Sequence, residues 1–125
     1  MTENQITEIV IGRAIKVHRT LGPGLLESAY ETCLCYELDN TQLLIERQKP
    51  IPLVYEDIRM GCGYRVDIMV NKKVIIEVKS VDALNDIHLA QMLTYLKLAE
   101  CKVGLLMNFN VLRLTDGIKR AVSNF

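Results

Sequence analysis

Tryptophan is absent from the 125 residues, phenylalanine occurs twice and proline three times. With five tyrosines, these few rings leave little for a base-stacking platform. No charge of one sign dominates, because fifteen Lys and Arg balance fifteen Asp and Glu. That argues against a protein coating nucleic acid or an anionic membrane by bulk charge alone. No apolar run approaches the ~18 residues of a membrane span, and polar Met1–Thr7 does not read as a secretory leader. The compartment expected is the cytoplasm. Cys33, Cys35, Cys62 and Cys101 form no CxxC pair and have no histidine at zinc-finger spacing, so they read as free thiols. Repeats, low-complexity tracts and linker-like stretches are also missing. What is present is a globular composition, half apolar and 24% charged. It suits one domain over residues 1–125.

Ile6, Ile9, Val10, Ala14, Val17 and Leu21 recur at helical spacing over residues 4–21. Gly22-Pro23-Gly24 breaks that helix, and a second is expected from about Leu25 to Leu38, with Leu26, Tyr30, Cys33, Leu34 and Leu38 inward. Strands are expected at 43–47, 51–55, 63–70 and 73–79, then a helix at 84–99 and a strand at 102–109. Residues 111–114 and 117–122 finish the chain with weaker patterns. The order predicts a mixed α/β fold, with an antiparallel meander feeding a crossover helix.

The segment 64–79 is the most informative. A loop at Asn71–Lys73 sets Val70 against Val74, which opposes Asp67 to Glu77 and Arg65 to Lys79. Alternation puts those four charges on one face and Val66, Ile68, Val70, Val74, Ile76 and Val78 on the other. A slip of one residue would mix the faces, so patterning selects this register. Opposed carboxylates repel unless one is protonated or a cation lies between them. Hard ions such as Mg²⁺ accept such oxygen ligands. Alternatively, Arg65 and Lys79 neutralise the acids in a surface salt-bridge lattice.

Asp67, nine residues, then Glu77-Val78-Lys79 resembles the D…(D/E)xK signature of the PD-(D/E)XK nucleases, with Val66 where the superfamily name expects proline. Gly24-Leu25-Leu26-Glu27-Ser28-Ala29-Tyr30 resembles the GxxExxY motif of a small family within that group. Gln91, Tyr95-Leu96 and Leu106-Met107-Asn108-Phe109 are similar to the same family. The resemblance implies a restriction-endonuclease-like α/β core, a mixed central sheet flanked by helices. It also implies metal-dependent phosphodiester hydrolysis on nucleic acid, DNA before RNA.

By that resemblance Asp67, Glu77, the Val78 carbonyl and Glu27 would hold Mg²⁺ or Mn²⁺, and Lys79 would stabilise charge developing on the phosphate. Gln91 matches a glutamine placed beside the lysine. His88, Gln91 and Tyr95 fall within about 60° of arc on their helix, a polar stripe. Tyr30, Tyr95 and Arg65 are candidate substrate contacts, as are Arg13 and Lys16 with His18, Arg19, Arg47 and Lys49. Charges on helix faces equally serve solubility. A homodimer or a partner protein would supply specificity to so small a domain. The competing reading is a non-catalytic nucleic-acid- or protein-binding module that keeps the nuclease fold.

Overall fold

In the computed structural model, residues 1–61 and 63–124 are described. Helix α1 (Glu3–Leu21) begins at a capping box, in which Thr2 and Gln5 each accept the other's backbone N–H. Ile6, Val10, Ala14 and Val17 are its buried stripe. Gly22, at a φ of 71°, ends it by donating its N–H to the His18 carbonyl. Helix α2 (Glu27–Asp39) buries Tyr30, Leu34 and Leu38. Cys33, expected inward, is half-buried, whereas Cys35 is buried. Both are free thiols, as is Cys101, and Cys62 lies outside the described residues.

Strands β1 (Ile45–Pro50), β4 (Arg65–Val70), β5 (Val74–Lys79), β6 (Val103–Asn108) and β7 (Ile118–Val122) form one mixed sheet in the order β1-β4-β5-β6-β7. Among the described residues only β5 and β6 run parallel, joined by the crossover helix α3 (Asp86–Ala99). The strand expected at 51–55 is not part of this meander. Leu53–Tyr55 (β2) and Ile58–Met60 (β3) instead make a separate hairpin, so β1 pairs directly with β4. Pro50 and Pro52 lack the N–H that would extend the ladder. Glu56 and Asp57, at φ 51° and 62°, close the small hairpin on itself.

The sheet is buried on both faces. Against α1 and α2 lie Ile68, Val70, Val74, Ile76 and Val78. Against α3 lie Met69, Ile75 and Leu106, packed on Met92, Tyr95 and Leu96. Val66 was expected to share a face with Ile68 and instead joins the α3 side. The β4–β5 ladder runs from Val70↔Val74 to Ile68↔Ile76, and the strict alternation of faces does not carry past its end. A turn of 3-10 helix at Leu114–Gly117 precedes β7. A Cβ at Gly117 would strike the Asn108 carbonyl, so only glycine fits there.

Candidate functional site

The β4–β5 turn fixes the site. Asn71 and Lys72 take φ values of 51° and 54°, and the Lys73 N–H bonds the Val70 carbonyl at 2.9 Å. Val70 therefore opposes Val74, and the register continues to Ile68↔Ile76, which carries Asp67 to the level of Glu77. Just past the ladder, the Asp67 carboxylate replaces a backbone partner: its Oδ2 accepts the Val78 N–H at 2.8 Å.

Glu77 is 5% exposed and pairs with Leu106 of β6 along the sheet. Its Oε1 is buried without a hydrogen-bond partner among the described residues. Burial, then the hydrogen bond to Asp67 and the Asp67 charge, push its carboxyl up to about 9, while the Lys79 ammonium pulls it the other way. Lys79 ends β5, two residues further, opposite Asn108. Tyr95 is buried on α3 with its ring 6.2 Å from that of Tyr64. It packs in the cluster that holds Ile75 of β5, and burial, then the charge of Glu77, raise its hydroxyl above the usual range.

On its other flank Asp67 opens into a cleft of about 580 Å³ that Glu27, Glu31, Gln48 and Ser80 also line. Glu27, in the first turn of α2, accepts the Ser80 N–H at 3.0 Å. Among the described residues no three His, Cys, Asp or Glu side chains group so as to hold a metal ion. The expected cluster of Glu27, Asp67 and Glu77 is thus reduced to the Asp67–Glu77 pair, because Glu27 reaches across the cleft to Ser80. Sequence reading also missed two neighbours. Glu31, buried, accepts from Arg47 Nε at 2.6 Å and from Gln48 Nε2 at 2.9 Å, and the same Gln48 amide lies 3.3 Å from Asp67 Oδ1. Glu31 stands one helical turn after Glu27, a spacing that was available as a signal. Nothing in residue spacing announces Gln48.

Other expected residues lie apart. Tyr30 is fully buried, stacks on Phe109 at 4.6 Å, donates its hydroxyl to the Gly22 carbonyl and accepts the Leu25 N–H. It shapes the α1–α2 turn and presents no surface to a substrate. Arg13 and Lys16 each pair with Glu37 at 3.2 Å. Glu37 sits ten residues along α2 from Glu27, about 15 Å of helix. His18 is buried, with Nε2 at 3.1 and 2.8 Å from the carbonyls of Phe109 and Val111, and so faces no phosphate. Arg65 is exposed opposite Pro50, and Gln91 is exposed one turn before Tyr95. His88 completes the α3 capping box with Asn85.

A family model matches residues 4–121, described as the PD-(D/E)XK nuclease superfamily. The chain belongs to that superfamily. No curated protein and no solved structure matches it. The five-stranded mixed sheet with flanking helices is the architecture expected of a PD-(D/E)XK domain. No helix among the described residues is long and apolar enough to cross a membrane. PD-(D/E)XK nucleases generally use divalent metal ions, and the residues here fit one. An unpartnered, buried Glu77 oxygen beside Asp67 calls for either a proton or a cation. One or two carboxylates, with waters, are what Mg²⁺ takes from a protein.

Proposed function

We propose that this chain is a metal-dependent phosphodiesterase acting on nucleic acid, DNA before RNA, of the GxxExxY kind within its superfamily. The observation that carries the reading is the Asp67–Glu77 pair: two carboxylates on one hairpin, one with a buried oxygen that nothing satisfies, and Lys79 two residues on. Asp67, Glu77 and the Val78 carbonyl are the groups assigned to Mg²⁺ or Mn²⁺. Such an ion, when bound, polarises a phosphate and makes hydroxide available near neutral pH. Asp67 contributes a carboxylate already oriented by the Val78 N–H. Lys79 is the cation assigned to the charge that develops on the phosphate oxygens. Gln91 and Arg65, both exposed, and Tyr95 on α3 are assigned to the substrate and not to the ion. Glu27 steadies the β5–α3 connection through Ser80, and a bridging water is its assigned route to the ion. A second copy or a partner protein is the proposed source of specificity.

The test is cleavage of labelled single-stranded, duplex and branched DNA, and of RNA, with Mg²⁺, Mn²⁺ or EDTA. Cutting should need the metal and fall at least about 100-fold in Asp67→Ala and in Lys79→Ala. Cutting that survives Asp67→Ala would sink the proposal. Binding of nucleic acid with no cleavage under any condition would make the chain a non-catalytic module on the nuclease fold.

A further inference from the structure

Two neighbours on strand β1 do what a regular strand forbids. Consecutive strand side chains point to opposite faces, yet Arg47 and Gln48 both reach the carboxylate of Glu31, at 2.6 Å and 2.9 Å. The break in alternation is the Gln48 backbone, whose φ of 51° lies in the left-handed region. A residue with a Cβ keeps that conformation only where its surroundings impose it, and glycine would adopt it freely. The disturbance is local, because β1 stays in register with β4 on either side, Arg47↔Ile68 and Lys49↔Val66.

The third contact shows what the twist achieves. Gln48 Nε2 lies 3.3 Å from Asp67 Oδ1 as well as 2.9 Å from Glu31 Oε1. A carboxamide nitrogen carries two protons and no charge. Both oxygens of Glu31, at 2.9 and 3.2 Å, and Asp67 Oδ1 lie within reach of those two protons, so two acids that would otherwise face each other share a neutral donor. Asp67 Oδ2 is already held by the Val78 N–H, so both of its oxygens are fixed. Behind the bridge, the Arg47–Glu31 ion pair braces the amide and offsets the Glu31 charge.

We infer that Gln48 is a positioning residue: its left-handed amide bridge fixes the orientation of the Asp67 carboxylate and so sets the affinity of the acid pair for a divalent cation. The inference rests on the cation-site reading above. Partners of this kind, bonded to a ligand and not to the ion, change metal affinity by about 10- to 100-fold when removed.

The experiment is calorimetric titration of Mn²⁺ into wild type, Gln48→Gly and Gln48→Asn, at a temperature where circular dichroism shows each protein folded. Melting in EDTA is recorded alongside. Glycine relieves the backbone while deleting the amide, so Gln48→Gly should melt at or above the wild-type temperature yet bind Mn²⁺ at least about tenfold more weakly. Asparagine also tolerates the left-handed backbone, but its amide is one methylene short of both carboxylates, and it should lose affinity likewise. A merely structural Gln48 predicts the reverse: lower melting temperatures and unchanged Mn²⁺ affinity in both variants. That result overturns the inference and leaves the cation site standing. A wild type that takes up no Mn²⁺ overturns the cation site itself, and the positioning role with it.

Discussion

Glu77 holds its proton at neutral pH for a reason located on its own side chain: a buried carboxyl with one unsatisfied oxygen and a carboxylate for a neighbour. Its folded value of about 9 stands above the ordinary 4.5, so between those limits the folded chain binds a proton that the unfolded chain releases. Stability of the metal-free protein must therefore fall as pH rises through that window, by about 1.4 kcal/mol per unit at the steepest. Glu77→Gln, which keeps the shape and cannot ionise, should remove this slope and be the more stable protein above neutrality. Urea midpoints in EDTA from pH 5 to 9 measure it, and parallel slopes for the two proteins would contradict the assignment. The same variant should abolish any rise in melting temperature with added Mn²⁺.

At the level of the element, the 3-10 turn before β7 packs against the end of β6, the strand that pairs with Lys79. Asn108, opposite Lys79, clamps Val81 through both ends of its side chain, and its backbone carbonyl leaves no room for a Cβ at Gly117. Gly117→Ala should lower stability by about 1–3 kcal/mol through overpacking against backbone, read as a drop of several degrees in a thermal melt. An unchanged melt would show that the turn can shift freely. Elements differ in how well the chain announces them. The β4–β5 register was legible because alternation of Val and Ile on two short strands leaves one pairing that keeps the charges together. β2 and β3 were not, since their separation depends on prolines and on two non-glycine residues at positive φ, Glu56 and Asp57. Gln48 was hidden for the same reason: a positive φ in mid-strand leaves no periodic trace. Tyr30 and Glu31 were half legible, because helical spacing places them without saying that one is packed and the other ion-paired.

Over the whole molecule, positive and negative charges cancel, and the cleft beside Asp67 is lined by Glu27 and Glu31 as well. Phosphate is repelled there unless a cation intervenes. In a Lys79→Ala background, chosen to suppress cutting, binding of labelled DNA should be weak in EDTA and tighten at least about tenfold with Mn²⁺, with an affinity that falls as salt rises. Tight binding in EDTA that ignores salt would point to a different surface. The route by which the chain reaches this arrangement also follows from the hairpin. Asp67 and Glu77 are separated by nine residues and a tight turn, whereas Glu31 and Gln48 arrive from outside that hairpin, on α2 and β1. Local pairings form ahead of distant ones. If the hairpin pairs first, the two acids are neighbours in water before Gln48 bridges to Asp67 or burial raises the pKa of Glu77. The low dielectric that gives the pair its character comes from α3 and the neighbouring strands, not from the hairpin that brings the acids together.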